Sequence, residues 1–274
     1  MPSLREALQT YTAVIVTGGS SGIGKSFIQL VGNLKPDLRV CNLSRRAPDE
    51  NFSSLLGKNL NHFPCDLTHP ADVARASGDV RAMLAAAPAG KVLLVNNSGG
   101  GSFGDFASLP LDAELGLVDL NIRGLVQLTG LLLPDLRARG GGIINVASTL
   151  AYVPAPYAAT YAATKAFVLH WSLALRTELR AGGLTVLALC PGTTATAFFA
   201  RAGAKGEPAG SRLTLTPDRV AAVALRAFFA GRAQVVPGFW NSVYATLVAR
   251  LPKALGARLA AGVMARRRPG ASAT

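Results

Sequence analysis

The chain has 274 residues and a net charge of +13; half of its residues are hydrophobic and only 16% are charged. That composition excludes a largely disordered chain, which could not bury enough apolar surface to offset its ordering entropy, and glycine and proline are too few for a fibrous repeat. No uninterrupted apolar run reaches the roughly 18 residues of a membrane-spanning helix, and Met1 to Thr12 lacks the basic-then-apolar order of a signal peptide.

Strand-like and helix-like segments alternate along the chain. Ala13–Thr17 is a β-branched run ending in glycine, and a helical pattern follows over about Gly22–Leu34. Strands are expected at Arg39–Leu43 and His62–Cys65, then a helix over Ala71–Ala87, a strand at Lys91–Asn96 and a long helix over about Asp112–Arg139. Gly142–Ser148 reads as strand, Pro156–Ala181 as helix and Leu184–Cys190 as strand. A looser stretch, Pro191–Thr216, precedes a helix over Pro217–Ala230 and a short strand near Gln234–Val236. Apolar runs without polar alternation mean burial on both faces of a sheet. The pattern predicts an α/β protein: a Rossmann-type doubly wound parallel sheet of about seven strands, helices on both faces, plus a C-terminal helical tail. One nucleotide-binding and catalytic domain is expected over 1–238, and a basic amphipathic extension over 239–274.

The charge is uneven. From Arg180 onward there are thirteen basic residues and two acidic ones, Glu207 and Asp218. No zinc-finger spacing or basic-aromatic RNA-binding motif accompanies them, so no nucleic-acid partner is expected. Trp240, Tyr244, Leu247 and Leu251, then Leu255, Leu259 and Val263, recur at helical spacing, with Arg250, Lys253, Arg258 and Arg266 to Arg268 as the cationic side. Such a stripe packs on its own core or a partner subunit, or lies on an anionic membrane as a peripheral contact. Cys41, Cys65 and Cys190 are odd in number, lack metal-ligand spacing and read as buried reduced thiols of a cytoplasmic protein. No metal site is expected.

Thr17-Gly18-Gly19-Ser20-Ser21-Gly22-Ile23-Gly24 joins the first strand to the first helix. Glycines there allow a sharp turn and a close backbone approach to a pyrophosphate, which the helix N-terminus favours. The spacing is T-G-x-x-x-G-I-G. Asn96-Asn97-Ser98-Gly99, Asn121, Ser148 at the close of the fifth strand, Tyr161-Ala162-Ala163-Thr164-Lys165 and Pro191-Gly192 follow in order, with Ser148 thirteen residues before Tyr161. From about Ala13 to Val236 the sequence resembles the short-chain dehydrogenases/reductases, with serine in place of alanine in the N-N-A-G motif.

Tyr161 and Lys165 are one helical turn apart and share a face. A cation there is expected to lower the phenol's pKa toward neutrality, and Ser148 to donate to a substrate oxygen as charge develops. The resemblance implies that Tyr161 exchanges a proton with the carbonyl or alcohol oxygen. It further implies that Lys165 holds the nicotinamide ribose, and that the Asn121 backbone positions a water in the proton relay. These four, Asn121, Ser148, Tyr161 and Lys165, are the candidate catalytic residues.

For the cofactor, the candidates are Gly18, Ser20, Ser21, Gly22, Ile23 and Gly24 in the turn, and Asn97, Ser98 and Gly99. The resemblance implies that Asp66 and Leu67 stand at the adenine and Pro191, Gly192, Thr194 and Thr196 at the carboxamide, with Tyr161 and Lys165 beside them. The second strand ends in Ser44-Arg45-Arg46 without an acid, so those residues are expected to accept the 2′-phosphate of NADP(H). The substrate wall is drawn from Phe103, Tyr152, Val153, Tyr157, Phe198 and Phe199, which suit a hydrophobic carbonyl or alcohol. The expected activity is NADPH-dependent reduction of a ketone or aldehyde, reversible. The alternatives are an NADP-linked alcohol dehydrogenase or an idle NADP-binding scaffold. A homodimer or tetramer is the expected assembly.

Overall fold

The β-branched and leucine-rich runs identified above pair in parallel, and because both faces are covered they are buried almost throughout. A computed structural model of the chain describes residues 3–48, 57–204 and 213–265. Lys205, Glu207 and Arg266 to Arg268 lie outside the described residues. Seven strands form one sheet in the order β3-β2-β1-β4-β5-β6-β7. They are β1 (Tyr11–Thr17), β2 (Arg39–Ser44), β3 (Leu60–Pro64), β4 (Lys91–Asn96), β5 (Gly141–Val146), β6 (Leu184–Leu189) and β7 (Gln234–Val235). All pairs are parallel, and the chain reverses its winding between β1 and β4, which makes that point the switch of the sheet.

On one face α2 (Gly22–Leu34) and α8 (Pro217–Phe229) bury Phe27, Ile28, Val31, Val220, Leu225 and Phe228. On the other, α3 (Pro70–Ala85) and α5 (Gly124–Arg139) bury Val73, Val80, Leu128, Leu132 and Leu136. Each such side chain contributes about 1.5–3 kcal/mol when fully removed from water. A short α1 (Leu4–Leu8), which the sequence pattern did not reveal, is held by a capping box between Ser3 and Glu6.

Two helices depart from the expected form. The run from Leu111 to Arg139 consists of α4 (Leu111–Val118), a π-helical turn (Asp119–Arg123) and α5. With a mean hydropathy of 1.3 over its most apolar stretch, it is the one described helix long and apolar enough to cross a membrane, although interspersed polar residues interrupt the run. Its Leu128, Leu132 and Leu136 nevertheless pack in the core beneath β4 and β5. The helix expected from Pro156 begins instead as α6 (Ala159–Leu179), because Tyr157 takes φ +62°, the only described non-glycine residue in the left-handed region. A four-residue α7 (Phe198–Arg201) follows β6.

The tail forms α9 (Phe239–Arg250) and α10 (Lys253–Ala265). Its large apolar stripe is not what the protein buries. Asn241, Ala245, Gly256, Ala260 and Met264 face inward, while Phe239, Trp240, Leu247 and Leu255 are exposed. The small residues explain the choice, since a Cβ at Gly256 would stand 3.0 Å from Val153 Cγ2. The tail packs on the 149–153 turn, where Lys253 Nζ donates to Tyr152 O at 3.0 Å.

Candidate active site

Parallel strands bring their carboxyl ends to one edge, and the loops after β1, β2, β4, β5 and β6 open there into a single cleft of about 600 Å³. The turn after β1 is shaped for close approach. Gly18 has φ +68° and Gly22 φ +55°, and a Cβ on Gly24 would lie 2.4 Å from Gly18 O. Ser21 at the N-cap of α2 makes no side-chain capping bond, so the first amides of the helix keep their polarity for a ligand. The 97–99 loop is stitched to this turn. Asn97 N and Ser98 N donate to Thr17 Oγ1 at 2.9 and 2.8 Å, and Asn97 Nδ2 donates to Thr17 O.

Next along the cleft, Arg45 and Arg46 are exposed, and Arg45 Nη1 lies 3.7 Å from Asp66 Oδ2. Burial pushes the Asp66 carboxyl up, but bonds from Thr68 N and Oγ1, with Arg45 and His69 nearby, outweigh it and leave it below its usual range. Asp66 thus braces its own turn and also lines the cleft. Ser44 is not the spare donor expected. Its hydroxyl donates to Arg46 O at 2.7 Å, which fixes the arginine turn. Of the cofactor candidates, Gly24 alone does not line the cleft; it packs α2 against Gly18 and Asn97 instead. At the far end Thr194 Oγ1 donates to Gly192 O, and Thr196 Oγ1 accepts from Phe198 N.

This glycine cradle, uncapped helix end, arginine pair and polar far wall fit a dinucleotide in donor type and in space.

Ser148, Tyr161 and Lys165 stand together on one wall. Buried amides hold that wall rigid: Asn96 Nδ2 donates to Asn145 Oδ1, and Asn145 Nδ2 to Ser172 Oγ, tying β4, β5 and α6 together. Ser148 Oγ caps the 149–152 turn by accepting from Leu150 N. Lys165 Nζ donates to Val146 O at 2.8 Å and lies 6.0 Å from the Tyr161 ring centroid. Burial among Phe103 and Phe198 pushes the Tyr161 phenol up to about 12, against a smaller lowering by its bond with Ser148. This is opposite in sign to the expectation from the i, i+4 lysine. The cause is desolvation, with the ammonium turned to a carbonyl rather than to the phenol. Burial in turn draws Lys165 down to about 8, partly opposed by Cys190.

Asn121 does not line the cleft. Its Oδ1 accepts from Gly100 N, and its Nδ2 donates to Gly100 O and to Thr164 Oγ1, so from the π turn the side chain fixes the loop.

The remaining cleft is mostly apolar, with Arg201 and Asn241 also in its lining. Phe103, Val153, Phe198 and Phe199 line it as expected. Tyr152 and Tyr157 do not. Tyr152 turns its phenol into the core beside Cys190, where burial raises its pKa, and Tyr157 packs behind Phe103. The wall they were expected to supply comes from the tail: Tyr244, Val248 and Leu251 of α9 and Gly256, Leu259, Ala260, Val263 and Met264 of α10. Asn241 anchors this wall, donating from Nδ2 to Leu213 O and Pro237 O, and Gly192 lies so close that a Cβ there would be 2.5 Å from Asn241 Oδ1. The sequence signal was the spacing of Gly256, Ala260 and Met264 at intervals of four, a small-residue row about 100° around the helix from the large apolar stripe.

A doubly wound parallel sheet with a glycine turn at its switch point, and a Ser, Tyr and Lys on the wall across from it, defines a dinucleotide-binding oxidoreductase. The sequence model of the short chain dehydrogenases matches residues 12–206, and the chain belongs to that family. It is similar to a serine 3-dehydrogenase of Rhizobium radiobacter, 33% identical over 190 residues that span 68% of this chain and 73% of the relative. Among solved structures, a short-chain dehydrogenase from Sphingobium yanoikuyae in complex with NADPH superposes with a TM-score of 0.71 at 26% identity, covering 88% of this chain and 97% of the other. A 3-ketoacyl-(acyl-carrier-protein) reductase from Brucella melitensis complexed with NADH does so with the same TM-score at 28% identity, over 84% and 97%.

Proposed function

We propose that the protein is an NADPH-dependent reductase of ketones or aldehydes carried on a hydrophobic body, working reversibly, with Tyr161 as the proton donor. The observation that carries this reading is the juxtaposition, in one cleft, of Ser148, Tyr161 and Lys165 with an apolar chamber on one side and the glycine turn and Arg45–Arg46 on the other. The bound nicotinamide supplies or receives the hydride. Tyr161, held protonated by burial, delivers its hydroxyl proton to the carbonyl oxygen. Ser148 donates a hydrogen bond to that oxygen as its charge grows. Lys165, drawn down to about 8, passes between charged and neutral forms close to neutrality, and its bond to Val146 O fixes it on the wall beside Tyr161. The Asn121 clasp on Gly100 holds the loop over this group. The Arg45 and Arg46 guanidiniums, with no acid in the second-strand turn, favour a 2′-phosphate over a 2′-hydroxyl.

The same reading includes a dimer on the face of α4, α5 and α6, where Leu111, Leu115, Val118, Val126 and Phe167 are exposed. Light scattering on the purified chain checks it, and a monomeric mass removes it.

The test of the chemistry is a screen of hydrophobic ketones and aldehydes that follows NADPH consumption. Tyr161→Phe is expected to lower kcat by about 10²–10⁴-fold with NADPH affinity retained. Turnover undiminished in the variant would remove Tyr161 from the chemistry.

A further inference from the structure

The mouth of the cleft is rimmed by side chains that water does not favour. Leu213, Tyr244, Leu259 and Val263 all line the cleft and are all exposed. Beside this rim the tail leaves more apolar surface in solvent: Phe239 and Trp240, packed edge to face at 5.3 Å, then Leu247 and Leu255. These residues lie outside the cleft lining, so the cleft does not account for their exposure. Their exposed charged neighbours in sequence are the cations Arg250, Lys253 and Arg258. After Asp218 the chain has nine basic residues and no acidic one. Aromatic and aliphatic groups at the surface, flanked by positive charge in a stretch of sequence without an acid, match the layered chemistry of an anionic lipid interface: acyl chains below, phosphates above. A second copy of the chain, packed face to face, would bring the same cations against one another, so charge complementarity favours lipid.

We infer that α9 and α10 form a docking surface for an anionic lipid bilayer, placed so that the cleft mouth opens onto the lipid phase. Docking itself does not depend on catalysis. Only its corollary, that the carbonyl substrate enters from the bilayer rather than from water, rests on the reductase reading.

The experiment is co-sedimentation of the full chain with vesicles, either phosphatidylcholine alone or phosphatidylcholine mixed equally with phosphatidylglycerol. The bound fraction is expected to be at least about tenfold higher on the anionic vesicles and to fall steeply with added salt. The triple variant Phe239→Ser, Trp240→Ser, Leu247→Ser is expected to lose at least about tenfold in vesicle affinity. Its reduction of a water-soluble carbonyl should be unchanged, since none of the three lines the cleft. Failure to bind anionic vesicles overturns the inference, as does binding that the triple variant retains. Self-association abolished by the same variant, without lipid binding, would assign the face to a second copy and likewise overturn it. A chain that binds vesicles but turns over no carbonyl would leave the docking surface standing and remove the reductase reading.

Discussion

The two halves of the cleft are built by opposite means. The cofactor half is backbone and glycine: positive φ at Gly18 and Gly22, amides at the head of α2, and a loop stitched by Asn97 to Thr17. The substrate half is side chain: phenylalanines from the 103 and 198–199 segments, closed by aliphatic residues of α9 and α10. Backbone-built sites tolerate almost no added atoms, whereas a side-chain wall can be reshaped without moving the sheet. The protein is thus fixed on the first side and free to vary on the second.

Substitutions on the two sides should therefore differ in kind. Gly24→Val places a Cβ 2.4 Å from the Gly18 carbonyl oxygen and 2.5 Å from Asn97 Nδ2, so the turn and α2 must move apart. NADPH affinity is expected to fall about a hundredfold by fluorescence titration, and a variant that binds normally would break the contrast. Arg45→Asp acts through charge rather than space. It should lower the preference for NADPH over NADH by about ten- to a hundredfold in kcat/KM, and an unmoved ratio would transfer the 2′-phosphate to other residues. Ala260→Phe fills the chamber from the tail side. KM for bulky hydrophobic carbonyls should rise about tenfold while NADPH affinity holds; a parallel loss of both would show that the halves are coupled.

The smallest effect concerns stability. Lys165 is drawn from 10.5 to about 8 in the fold, so between those values the unfolded chain binds more protons than the folded one. Stability therefore rises as pH climbs from 8 toward 10.5, by up to about 3 kcal/mol. Thermal melts of wild type against Lys165→Met should show that rise only in the wild type. Parallel profiles would mean that the ammonium is better solvated than its burial implies.

The contrast also governs how much could be read beforehand. The half proposed for the cofactor lies in short contiguous motifs, each at the end of a strand whose hydrophobic run was plain, so Gly22, Ser98 and Thr196 could be named from the sequence as residues that line the cleft. The substrate half draws on Phe103 and Met264, far apart in sequence, and no local pattern joins them. The apolar stripe of the tail was visible, but the side that packs inward is the small-residue one. Hydropathy favours the large residues, whereas close packing on Val153 demands the small ones. The spacing of Tyr161 and Lys165 showed that they share a face. It could not show that desolvation would outweigh the charge, because burial is a property of the whole fold. Tyr157, which looked like one more position of a helix, proved to be its left-handed entrance.

The π turn at Asp119–Arg123 bears on length as well as identity. It holds one residue more than a regular ladder accommodates, inserted between two straight segments. Removing a single residue there would let the ladder close as regular α-helix with α4 and α5 still in phase, whereas removing one from the regular turns of α5 would rotate everything before it by about 100°. In that second case Leu117 would swing away from the cluster around Phe103, and the amide of Asn121 would leave Gly100. The irregular turn takes up its extra residue locally, so deletions in the regular turns of this helix should be far less tolerated than substitutions on its solvent side.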